Sequence, residues 1–332
     1  MFSWRSLLGI AVMTLSLIIG INHWVGMTAP TTEVTLVSYA VTKVAYQAII
    51  PKFVAKWKAD TGETVKFITS YGASGSQTRA IIDGLEADIA NLALGLDMDK
   101  LVASQLLAPN WSERLPNQAI VTTSAIAIAT REGNPHRIQT WQDLTKPNLQ
   151  VITANPKTSG VARWNFLGLW FANASEPQKY LTQVFRNVPI LPRDAREASD
   201  VFLKQGQGDV LLNYENELIL ANQQGYATSY LVPEVNVAIE APVAVIDRVV
   251  DRHGNRRAAE AFVQYLFAPE AQKEFAKTGF RPVNPQVAEE FQPNFPTITK
   301  LFKVGDLGGW QPVNQRFFAE NAIFDQILNQ RK

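Results

Sequence analysis

Short strand-like runs alternate with helix-like stretches along most of this chain. Glu33–Tyr39 sets Val34, Leu36 and Ser38 on one side and Val37 on the other, the period of a strand. Val65–Thr69, Ile89–Leu94, Val151–Thr153, Val188–Leu191 and Val210–Tyr214 repeat the theme. Helical spacing falls between them: from Thr42 or Lys43 to Gly62 with an interruption at Pro51, around Ile81, Ile82 and Leu85, over Val161–Asn173 and over Ala198–Lys204. Ala258–Phe267, Pro269–Lys277 and Phe317–Leu328 continue it to the end of the chain. Alternation of this kind predicts βαβ units, an α/β class and a parallel sheet, whose ligands lie beyond the carboxyl ends of the strands, where Tyr39, Ser74 and Ser159 fall.

Two longer apolar runs, Ile120–Thr130 and Ala241–Val250, read as strands that cross between two bodies. The expected organisation is a leader over 1–29, a first lobe over 30–123, a second lobe over 124–242, and a return to the first lobe with a helical tail over 243–332. A length of 332 residues suits two cores rather than one. The leader is expected from Arg5 followed by the uncharged run Leu7–Ile21, with no formal charge before Glu33; cleavage between Gly26 and Thr31 and retention as an anchor are the two alternatives. Either one places the folded part outside the cytoplasmic membrane.

Charge and composition narrow the chemistry. Lys plus Arg number 31 against 30 Asp plus Glu, so there is no basic field to hold nucleic acid or an acidic membrane, and an anion must be bound locally. No cysteine is present, which removes disulfides, thiolate nucleophiles and most zinc sites. The sequence lacks G-x-S-x-G, H-E-x-x-H, G-x-x-x-x-G-K-[ST] and G-x-G-x-x-G. His136 and His253 sit beside turn residues and read as solvated loop histidines, and Glu215/Glu217, on alternating positions of an expected strand, and Asp97/Asp99 read as surface or hinge carboxylates. No cofactor is implied.

What remains is a repeated local design of a small or hydroxyl residue, a small residue and a helix start. It occurs at Ser74-Gly75, Ser159-Gly160 and Ala195-Arg196, with a fourth start after Ala40. The central example, Asn155-Pro156-Lys157-Thr158-Ser159-Gly160-Val161-Ala162-Arg163, leaves a β-branched run, turns, and enters an apolar helix. Taken alone it is an ordinary capped helix. Four such starts on one cleft would instead point unpaired N–H groups, at the positive ends of helix dipoles, toward an anion.

That nonapeptide resembles the signature of the prokaryotic sulfate-binding proteins of ABC importers. So do Ser38-Tyr39, Tyr71–Gln77, Gly84–Asp88, Ala195-Arg196, Gly208–Leu211, Glu215–Glu217 and Gly308–Trp310, in family order. The resemblance implies a two-lobed type II periplasmic binding protein fold with two crossover strands and a ligand cleft between the lobes. It implies backbone amides from Ala40, Ser74, Gly160, Val161 and Ala195, the hydroxyl of Ser159, and a donor at Tyr214, where the family usually has a tryptophan. Ala40 stands where relatives commonly have Asp, and Val161 where they often have Gly.

The function expected is therefore capture of sulfate or thiosulfate by an exported, monomeric, non-enzymatic receptor that delivers it to a membrane ABC permease. The alternatives are a receptor for another tetrahedral oxyanion such as molybdate, an exported ester hydrolase, or a sensor domain.

Overall fold

A computed structural model describes residues 31–173, 175–226 and 228–330; the expected leader lies outside the described residues. Strand β1 (Thr31–Tyr39) is buried on both faces over its last residues, as befits a strand paired in parallel on each side, with β2 (Thr64–Gly72) and β3 (Ile89–Asn91). Between β1 and β2 runs α1 (Lys43–Thr61), which buries Ala45, Tyr46, Ile49, Phe53 and Trp57 at helical spacing and stops at Gly62, whose φ of +74° suits glycine. The expected interruption at Pro51 does not occur. Pro51 is exposed, so the carbonyl it leaves without a partner faces water and the helix passes through.

Helices α2 (Ser74–Ile82) and α3 (Gly95–Ala103) follow β2 and β3. The expected long strand is divided: β4 (Ile120–Ser124) belongs to a six-stranded sheet and β5 (Ile126–Thr130) to a four-stranded one, so the chain changes sheets at Ala125. The second sheet gains β6 (Val151–Ile152), β7 (Val210–Tyr214) and β8 (Ser229–Leu231), in the order β6-β7-β5-β8. Its helices are α4 (Gly160–Ala172), α5 (Pro177–Arg186), α6 (Ala195–Leu203) and α7 (Glu215–Gln223). Val188–Leu191 is not a ladder strand. Pro189 and Pro192 remove donors there, and the segment meets the β6 region through the Val151 amide to Asn187 O and the Asn155 amide to Pro192 O, both 2.7 Å.

The return passes through β9 (Val235–Val237) and β10 (Ile239–Val245), and β10 inserts antiparallel between β3 and β4. The second expected crossover strand therefore ends early, and its last residues form α8 (Asp247–His253). Asp247 favours the helix start: its carboxylate accepts from the Ala108 amide at 3.0 Å and pairs with Arg114 at 2.7 Å and Arg256 at 3.0 Å. Helices α9 (Arg256–Tyr265) and α10 (Pro269–Lys277), strand β11 (Arg281–Pro282) and α11 (Pro285–Phe291) complete this side, giving the sheet order β11-β4-β10-β3-β1-β2. The tail then leaves it. Strand β12 (Lys300–Phe302) pairs in parallel with β9, and Phe302 stacks on Phe171 of α4 at 4.0 Å. After α12 (Trp310–Val313), the chain passes through a π-turn at Asn314–Phe318, where a single helix over 317–328 was expected, and ends in α13 (Ile323–Gln330). Phe324 of α13 rests on Phe166 and Phe185, so the tail packs on the second sheet's helices. Among the described residues no helix is long and apolar enough to cross a membrane.

His253 is not a solvated loop residue. It ends α8, with Nδ1 2.8 Å from buried Asp88 and Nε2 3.1 Å from Glu86. Its pKa is raised, first by the hydrogen bond to Glu86 and then, against some desolvation, by Asp88. A group whose native pKa lies above its unfolded value stabilises fully below the unfolded value, about 6.5, and loses that contribution as pH climbs through the native value. The unliganded protein should accordingly lose melting temperature from about pH 6.5 upward. His253→Gln should flatten that part of the curve, and an identical slope in both proteins would remove the cluster as its cause.

Candidate anion-binding site

Four helix starts meet where the two sheets face each other. The turn at Ala40–Thr42 begins immediately after β1, α2 begins at Ser74 after β2, α4 begins at Gly160 after β6, and α6 begins at Ala195. They surround a small, nearly filled cavity bordered by Ala40, Ser74, Ser159, Gly160, Val161 and Ala195 together with Ala93 and Asp194. Six of the seven positions expected from sequence thus share one wall. The amides of Ala40, Ser74, Gly160, Val161 and Ala195 lie within the first turns of their helices, and no acceptor is found for them among the described residues. Among the described residues no Lys, Arg or His borders the cavity.

The two serines are held in different ways. The Ser74 hydroxyl donates to Asp97 Oδ2 at 2.7 Å and accepts from the Ala93 amide at 3.0 Å, which commits it and leaves the backbone N–H for a ligand. Asp97 is buried, and Lys100 pairs with it at 3.0 Å; the surface reading of this carboxylate fails because it braces the start of α2. Ser159 Oγ accepts the Ala162 amide at 3.4 Å as an N-cap, so its own proton is available to donate. Capping and ligand donation are compatible at Ser159 because one uses a lone pair and the other the hydrogen.

Tyr214, the seventh position, does not border the cavity. Its ring is fully buried at the end of β7, and its hydroxyl has no partner among the described residues. Burial first, and then neighbouring Tyr39, hold its pKa well above the ordinary value, so the proton stays on. The basic residues of the central motif turn elsewhere. Arg163 donates to Pro156 O at 2.9 Å and lies over Phe318, and Lys157 reaches Asp325 at 2.8 Å, so both serve the loop and the tail.

Glu215 and Glu217 are helical and buried, not alternating strand carboxylates at the surface. Glu215 forms a two-pronged pair with Arg281 at 2.8 and 3.2 Å, and Glu217 pairs with Arg196 at 2.8 Å and Ser199 at 3.3 Å. Burial raises the pKa of each, with the arginines opposing it. Residue spacing does not single out Asp194, the one charged group on the cavity wall among the described residues; its signal is its place directly before the helix start at Ala195. Trp164 was also missed as a contact across the cleft: its Nε1 donates to Ala93 O at 2.9 Å, and its ring meets Trp310 edge-on at 4.7 Å.

Comparison with known proteins agrees with this architecture. Residues 34–281 match the family described as bacterial extracellular solute-binding protein. A sulfate-binding protein of Synechococcus elongatus is 55% identical over 302 residues, covering 89% of this chain and 86% of its own. A thiosulfate-binding protein of Pseudomonas aeruginosa is 36% identical over 302 residues, covering 88% and 91%. The solved sulfate-binding protein of Mycobacterium tuberculosis superposes with a TM-score of 0.80 at 36% identity, covering 86% of this chain and 99% of that one. The fold is that of the type II periplasmic binding proteins, and the chain belongs to the bacterial extracellular solute-binding protein family.

Proposed function

We propose that this protein is the exported, periplasmic receptor of an ABC importer, that it captures sulfate or thiosulfate between two lobes as a monomer without turning it over, and that it delivers the anion to a membrane permease. The observation that carries the reading is the cavity wall itself: unpaired helix-start amides and a serine hydroxyl, with no cation. Sulfate carries no proton at neutral pH, so its oxygens only accept, and a wall of neutral donors at positive helix ends suits it. Hydrogen bonds to a charged group contribute roughly 1.5–3 kcal/mol each, so a few of them supply substantial affinity without an ion pair.

Calorimetric titration with sulfate, thiosulfate, molybdate and phosphate tests the assignment. Sulfate or thiosulfate should bind most tightly, and its affinity should stay nearly constant from about pH 5 to 8, because amides and serine do not titrate and the tyrosine proton is held. A fall of tenfold or more across that window would rule out neutral donors. Preference for molybdate would move the assignment to the wider oxyanion class.

A further inference from the structure

Among the described residues the cavity border, where Val41 and Ala93 lie beside the helix-start donors, holds one carboxylate. It belongs to Asp194, which is 8% exposed and caps α6 by accepting the Glu197 amide on Oδ1 at 2.9 Å. Its Oδ2 accepts no hydrogen bond from the described residues; the nearest cation, Arg193 Nε, stands 3.7 Å away and is shared with Glu197 at 3.4 Å. Arg196, the next cation, is engaged with Glu217 at 2.8 Å. Asn and Ser cap a helix about as well as Asp, so capping does not require the charge. The negative charge competes with a bound dianion for the same positive helix end, and two like charges in a dry cavity repel strongly. A ligand that still holds one proton escapes part of that penalty, because it can donate to the carboxylate.

We propose that Asp194 is a specificity-determining residue, lowering affinity for fully deprotonated dianions and accepting the proton of a singly protonated tetrahedral oxyanion, so that hydrogen phosphate becomes a weaker second ligand of the same cavity. The proposal rests on the sulfate reading above. Atoms balance without reaction: the proton remains on the ligand oxygen and forms one hydrogen bond to Oδ2.

The test titrates wild type, Asp194→Asn and Asp194→Ser with sulfate and with inorganic phosphate at pH 7.5. Both variants keep an N-cap acceptor, and their melting temperature without anion should stay close to wild type. Sulfate should bind at least about tenfold more tightly to both variants, while phosphate should weaken, raising the sulfate-to-phosphate ratio by about a hundredfold. Wild-type binding of sulfate with an unchanged ratio in both variants would overturn the role of Asp194 and leave the sulfate reading standing. Wild type that ignores sulfate but binds phosphate, and loses it on Asp194→Asn, would overturn the sulfate reading and support the carboxylate as acceptor.

Discussion

Tyr214→Phe is expected to weaken sulfate binding by about ten- to a hundredfold while leaving the unliganded protein at least as stable as wild type. The two halves of that result have one origin. The Tyr214 hydroxyl is buried and has no protein partner, so its removal breaks no hydrogen bond of the fold and relieves a buried polar group. Tyr214 does not border the cavity in this structure, so the loss of affinity measures whether ligand binding brings its hydroxyl to the anion, a bond of roughly 1.5–3 kcal/mol. Most substitutions that damage a site also damage the protein; this one should separate affinity from melting temperature. Calorimetry on sulfate, paired with thermal melts without it, reads both quantities. Wild-type affinity in the Phe variant would take Tyr214 out of the site, and a marked fall in melting temperature would show that the hydroxyl has a structural partner after all. Tyr214→Trp should retain sulfate binding, because an indole N–H still donates, with the difference that it cannot accept from a protonated oxyanion.

Gly160→Ala should be equally damaging for a different reason. Gly160 opens α4 with ordinary helical backbone, so alanine is acceptable to the helix itself. The added Cβ, however, would stand 2.7 Å from Ala93 Cβ and 3.0 Å from Leu94 Cγ, across the line where the two bodies meet. Neither neighbour is a flexible tip, and both are 1% exposed. Relief requires the bodies to part, which carries the Gly160 and Val161 amides away from those of Ala40 and Ser74. Overpacking of this sort costs about 1–3 kcal/mol, which translates into roughly a five- to 150-fold loss of sulfate affinity. The stabilisation of melting temperature by saturating sulfate should shrink in step. Undiminished affinity in the alanine variant would mean that the close contact with Ala93 is not needed for binding.

What the sequence disclosed depended on how local its cause was. Each helix start at the cavity is written in two or three adjacent residues, a small or hydroxyl residue and then the helix, so the starts at Ser74-Gly75, Ser159-Gly160, Ala195-Arg196 and after Ala40 are legible locally, while Val161 and the donor roles of the set come from the family resemblance. Strand β7 and helix α4 were legible because period and burial agree within one segment. Asp247–Val250 was misread because a valine-rich run at a strand's end looks like more strand, and the carboxylate that turns it into a helix finds its partners at Ala108, Arg114 and Arg256, far away or on the next helix. Glu215 and Glu217 show the same limit. Two residues apart on a helix they point to opposite sides, one to Arg281 and the other to Arg196, whereas on a strand the same spacing would place them side by side. Asp194 is hidden in the sequence because a carboxylate directly before a helix start has the signature of a cap and not of a ligand donor.

The path of the tail bears on how the two bodies can move. Ser124 faces Ile239 across the ladder, and the Ala238 amide donates to Phe302 O at 2.8 Å, so the three passages between the bodies lie side by side. The third is anchored at both ends, by Phe295 against Arg281 on one side and Phe302 against Phe171 on the other. A ribbon three chains wide folds easily across its width and resists torsion about its length. Such a ribbon would leave the bodies one soft hinge direction, along which closure would bring the amides of Ala40 and Ser74 opposite those of Gly160, Val161 and Ala195. Closure along one such direction would spare the anion a search over relative orientations and the entropy that such a search costs on binding.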